Sequence, residues 1–125
     1  MPRAMTFRDV TVQPGEKKKA YLAMTQTPGG QPLGFPLMVV NGSHDGPILL
    51  VDGAVHGDEY ESGEAIRAIW RDVDPKALKG AFVGVPVVNV PAFEAGRRAN
   101  PVDGMNMNRI FPGKLDNGNP HLFYD

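Results

Sequence analysis

The chain has 125 residues, no cysteine, and thirteen basic against fourteen acidic side chains, for a net charge of -1. That length suits a single domain with a modest core, and the near balance of charge excludes electrostatic attraction to nucleic acid or to a membrane surface. Without thiols there are no disulfides and no thiolate metal sites, so His, Asp and Glu are the side chains left to hold a transition metal.

Met1 to Thr6 lead into no apolar secretory core, and no stretch approaches the roughly 20 apolar residues of a membrane span. The expected setting is soluble and cytoplasmic. Fifteen glycines and twelve prolines require short elements separated by many turns. Lys17-Lys18-Lys19 reads as the solvated start of a strand. Lys19 to Met24 and Phe35 to Val40 read as antiparallel strands on either side of Pro28-Gly29-Gly30. After the turn-forming cluster Asn41 to Pro47, the apolar run Ile48-Leu49-Leu50-Val51 has the form of a buried central strand. From Glu59 to Val73, the residues Ala65, Ile66, Ile69, Trp70 and Val73 recur at spacings of three and four, which predicts an amphipathic helix with Trp70 in the core. Ala81 to Val88 is a second apolar run and completes a β-α-β unit that ends at Asn89. Residues 91 to 125 show little periodicity and read as a long loop, of the kind that is either functional or disordered.

His56-Gly57-Asp58-Glu59 follows the Ile48 to Val51 run, at the strand end where open α/β sheets bind their ligands. Zinc favours imidazole nitrogen and carboxylate oxygen, and a catalytic zinc takes three protein ligands with a fourth position open. A histidine at a strand end and a glutamate in the first turn of the next helix can converge on one ion, which makes His56 and Glu59 candidate metal ligands. The alternative is a hydrogen-bonded loop histidine, with Asp58 and Glu59 complementing a helix dipole. Further along, Asn108-Arg109 sets a planar guanidinium beside an amide, a pairing suited to a carboxylate. Arg97 or Arg98, placed beside a metal, would stabilise the oxyanion formed when water adds to a carbonyl. For each arginine the alternative is an exposed surface charge.

The apolar strand with His56-Gly57-Asp58-Glu59, the segment Asn89-Val90-Pro91-Ala92-Phe93, Arg98, and Asn108-Arg109-Ile110-Phe111-Pro112-Gly113 form an ordered set over residues 47 to 113. In that order and rough spacing the chain resembles the succinylglutamate desuccinylase/aspartoacylase family, a branch of the zinc carboxypeptidase fold. The resemblance implies an α/β fold, a mixed sheet with flanking helices in α/β/α layers, preceded by short antiparallel strands. Residues 1 to 125 would form the N-terminal portion, about half, of one such domain. The resemblance also implies one Zn2+ per complete site, held by His56, Glu59 and a further histidine. A metal-activated water, with a glutamate as general base, would cleave the amide bond of a small N-acylated amino acid. Arg98 would polarise the carbonyl, and Asn108 and Arg109 would hold the substrate carboxylate.

The family's third histidine and catalytic glutamate lie downstream of the Asn-Arg pair; here the other histidines are His44 and His121. Asn106 stands where the family often carries an aspartate that orients the ligand histidine, with Asp103 as a nearby substitute. Glu61 and Glu64 are expected to face solvent and Glu94 to pair with Arg98. Two alternatives stand beside the deacylase: a zinc carboxypeptidase with a groove for a peptide, and a non-catalytic fragment or small-molecule binding module. An incomplete sheet exposes a strand edge and an apolar face, which predicts self-association.

Overall fold

A computed structural model of the protein describes residues 1–112. Two three-residue strands, β1 (Met5–Phe7) and β2 (Val10–Val12), form a hairpin of their own. Four longer strands, β3 (Glu16–Gln26), β4 (Pro32–Asn41), β5 (His44–Asp52) and β6 (Lys79–Val85), form a mixed sheet in the order β3-β4-β6-β5. β4 runs antiparallel to both β3 and β6, while β5 and β6 are parallel. The helix α1 (Glu61–Asp72) connects that parallel pair, so the expected β-α-β unit is present. A short helix α2 (Val90–Glu94) and a 3-10 turn (Met107–Arg109) interrupt the segment expected to be loop.

β4 is apolar at successive positions because both of its faces are covered. Leu37 and Val39 pack with Leu22, Val83, Val85 and Val12 of the hairpin. Met38 and Val40 face the other way and meet Phe82 and Ile66, with Trp70 partly buried beside them. Gly84 lies under α1, where a Cβ would press on the Ile66 side chain. Among the described residues the layers are therefore hairpin, sheet and helix, where the resemblance implied helices on both faces. The fold class, α/β with a mixed sheet, stands.

β5 departs from expectation. Ile48, Leu49 and Leu50 are 63%, 59% and 65% exposed, so the run expected to be a buried central strand is an edge strand. β6 takes the central place, and no strand lies beyond β5 among the described residues. Ala65 and Ile69 of α1 are exposed as well, because the helix buries Gly63 and Ile66 instead.

The lysine run is also not simply solvated. Lys17 Nζ donates to the carbonyls of Trp70, Arg71 and Val73 at 3.0, 2.9 and 3.1 Å. It thereby satisfies carbonyls that the last turn of α1 leaves without an intrahelical partner. Lys17 and Lys19 each place Nζ 5.0 Å from the Trp70 ring centre, close enough for attraction to its π face. Glu61 and Glu64 are exposed, as expected. No helix among the described residues is long and apolar enough to cross a membrane.

Candidate metal centre

β5 ends at Asp52 and α1 begins at Glu61. His56 and Glu59 therefore both lie in the connecting loop, not on the strand end and in the helix as expected. Six hydrogen bonds shape this loop. Gly53 N–H donates to Val85 O at 2.8 Å, and Val88 N–H donates to Gly53 O at 2.9 Å, extending the parallel pairing past the strand ends. Ala54 then turns into the left-handed region at φ 52°, unusual for a residue with a Cβ; its N–H donates to Ser62 Oγ at 3.0 Å. The Ser62 hydroxyl donates in turn to Glu59 O at 3.3 Å, and Glu59 N–H closes a turn onto His56 O at 3.2 Å. Asn89, just after β6, donates from Nδ2 to Val55 O at 3.1 Å. Gly57 is required by contact: a Cβ there would collide with the backbone of Ala92 in α2. Tyr60 meets Phe93 edge to face at 5.5 Å, adding a second contact between loop and α2.

These tethers bury the His56 side chain and fix both of its nitrogens. Nε2 lies 3.1 Å from Asn106 Oδ1. That oxygen also accepts from the Asn108 backbone N–H at 3.0 Å, which identifies it as the oxygen end of the amide. An acceptor there assigns the proton to Nε2. The other nitrogen, Nδ1, then presents its lone pair to Glu59 Oε1, 3.1 Å away. With the imidazole neutral, two acceptors face each other, and a cation between them, a metal ion or a proton, would relieve the contact.

His56 and Glu59 suit zinc as two of the three protein ligands that a catalytic site takes. Two ligand atoms on a tetrahedral zinc stand roughly 3.3–3.6 Å apart when each bond is about 2.0–2.2 Å, and imidazole with carboxylate is a common pair for that ion. Arg98 Nη1 lies 3.5 Å from the same Glu59 Oε1. This corrects the expected Glu94–Arg98 pair. Glu94 instead borders a depression of about 220 Å³ with Tyr21, Pro36 and Phe93.

Asn106, not Asp103, orients the histidine; Asp103 Oδ1 accepts the Met105 N–H at 2.8 Å. Asn108 joins the cluster through its backbone N–H, while its side chain and that of Arg109 are exposed. Arg109 Nη1 donates to Asn108 O at 3.4 Å. His44 opens β5, nine residues long, or roughly 30 Å at about 3.3 Å per residue, so it stands at the opposite end of the strand from His56. His121 lies outside the described residues. Among the described residues no third His, Cys, Asp or Glu joins His56 and Glu59. Ser62 and Asn89 carried no expectation as site residues. The available signals were a serine where a helix was predicted to start and an asparagine directly after an apolar run, where burial demands a partner.

The sequence model of the succinylglutamate desuccinylase/aspartoacylase catalytic domain matches residues 45–123. The chain belongs to this family. N-alpha-acetyl-L-2,4-diaminobutyric acid deacetylase of Halomonas elongata is 42% identical over 82 residues, covering 66% of this chain and 24% of that protein. The product-bound ectoine utilization protein EutE (DoeB) of Ruegeria pomeroyi superposes with a TM-score of 0.72 at 34% identity, over 80% of this chain and 31% of that one. A succinylglutamate desuccinylase/aspartoacylase of Rhodobacter sphaeroides gives a TM-score of 0.69 at 36% identity, over 78% and 31%. The chain thus spans a quarter to a third of the length of these relatives. Relatives in this family are deacylases acting on N-acyl amino acids, and these residues form part of the family's mixed α/β domain.

Proposed function

We propose that these residues contribute to a zinc-dependent hydrolase that cleaves the amide bond of a small N-acylated amino acid. One observation carries the reading: His56 Nδ1 and Glu59 Oε1 face each other at 3.1 Å with Nε2 committed to Asn106. Zinc bound there would act as a Lewis acid and bring the pKa of water down toward ~7.

The remaining roles belong to the chain. Asn106 holds the Nε2 proton of His56 and so keeps Nδ1 available as a ligand. Arg98, beside Glu59 and 56% exposed, has guanidinium donors left for the scissile carbonyl, where negative charge develops as water adds. Asn108 and Arg109 offer an amide and a planar fork of donors to the substrate's carboxylate. The diaminobutyric acid deacetylase supports this substrate class, since its named substrate carries both an N-acetyl amide and a carboxylate.

The test is native mass spectrometry of the chain loaded with zinc, paired with hydrolysis of N-acetyl amino acids. The wild-type chain is expected to hold one zinc. His56→Ala should lose the metal and any hydrolysis together, while Arg109→Ala should keep the metal and raise KM. A His56→Ala chain with undiminished zinc and activity sinks the reading. A wild-type chain that takes up no zinc would leave a proton as the cation between His56 and Glu59.

A further inference from the structure

Asn89 joins β6 to α2 and is 1% exposed. Among the described residues its side chain makes a single hydrogen bond, from Nδ2 to the carbonyl of Val55, the residue before His56. Its backbone carbonyl receives the Phe93 N–H at 3.0 Å, the bond that starts α2. The other end of its side chain, Oδ1, is buried with no hydrogen-bond partner among the described residues. An amide buried for stability alone would have both ends satisfied, because a lone acceptor in the interior is unfavourable. What Asn89 does is direct a donor at the main chain beside a candidate ligand, on the side where Gly57 packs against Ala92 of the same short helix.

We propose that Asn89 is a positioning residue for the metal loop, holding His56 toward Glu59 through the Val55 carbonyl. The assignment rests on the zinc reading of His56 and Glu59 and adds a residue to it. Ser62 fixes the loop from the α1 side, at Ala54 and Glu59. Asn89 fixes it from the α2 side at Val55. Releasing that tether frees the peptide that carries His56, and Nδ1 and Oε1 no longer stand 3.1 Å apart before the ion arrives. The ordering must then be done during binding, and affinity falls.

Asn89→Asp keeps the shape of the side chain and removes the donor, so it is the variant to test. Asn89→Ala, which introduces no charge, is the second. Two quantities are read on the whole chain: the dissociation constant for Zn2+ by calorimetry, and hydrogen exchange at the Glu59 amide without metal. Ile66→Val, a core change remote in chemistry from the loop, serves as the control for a general loss of stability.

The expected result is zinc binding weakened roughly tenfold or more in both Asn89 variants, the scale on which outer partners of a ligand act, with faster exchange at Glu59. Ile66→Val should lower the unfolding midpoint with neither change. If the Asn89 variants lower only the midpoint, as Ile66→Val does, the assignment is overturned. If the wild-type chain binds no zinc, the zinc reading falls, and exchange at Glu59 alone decides whether Asn89 orders the loop.

Discussion

β4 and β5 lie on opposite sides of β6, and both are built from aliphatic residues, yet their surroundings are opposite. Val39 and Val40 of β4 are 1% and 0% exposed, whereas Leu49 and Leu50 of β5 are 59% and 65% exposed. The difference is not in the residues. β4 has a strand on each edge, α1 on one face and the hairpin on the other; β5 has β6 on one edge and, among the described residues, no strand on the other. An apolar run therefore reports that a segment has surface worth burying. How much of it is buried is decided by elements distant in the sequence.

The largest test of this contrast is Leu37→Ala in β4. Leu37 is 3% exposed in the cluster with Val12, Val39, Val83 and Val85. Truncating it removes transfer free energy and leaves a cavity that rigid neighbours cannot fill, and such changes cost about 2–5 kcal/mol. Urea unfolding should show a free energy of unfolding lowered by that amount. A loss of less than about 1 kcal/mol would mean that this cluster is loose and that β4 is not the core strand its exposure indicates.

The bare edge of β5 leads to a second, smaller expectation. The opposite edge, β3, carries Glu16 and Lys18, exposed charges that oppose pairing with another chain. From Gly46 to Val51 β5 carries no charge at all. The chain is expected to self-associate through this edge, with a scattering mass that rises with concentration. Leu49→Lys should shift that association to higher concentration. A wild-type chain that stays monodisperse and monomeric at high concentration removes the expectation.

Local patterns were legible and neighbours were not. β3, β4, α1 and β6 follow from runs bounded by turn residues and from the three-to-four spacing around Ile66, which need no knowledge of the rest of the chain. β1 and β2, three residues each, are too short to show any period. The lysine run is not simply solvated because side chains alternate across a strand, so Lys17 and Lys19 reach the Trp70 ring while Lys18 donates to Thr11 O. In the site, the pairing of His56 with Glu59 follows from a short motif, and attention to Asn106 from the family resemblance. The Glu94–Arg98 pair did not form because the i,i+4 rule needs a continuous helix, and α2 ends at Glu94. Arg98 turns to Glu59 instead, a contact set by the fold.

Leu50→Ala is the smallest effect and the most informative about β5. It is the same substitution as Leu37→Ala, made on the other side of β6, so the chemistry of the deletion cancels and only the environment differs. A leucine 65% exposed has little apolar area to lose and leaves no cavity, so the cost should lie within about 0.5 kcal/mol, the range of ordinary surface changes. Measured at low protein concentration, that result would place β5 at the surface of the isolated chain. A cost near that of Leu37→Ala, growing with concentration, would mean that Leu50 is covered in solution by another copy of the chain. The same cost without concentration dependence would mean that it is covered from within the chain, and the contrast between the two strands would disappear.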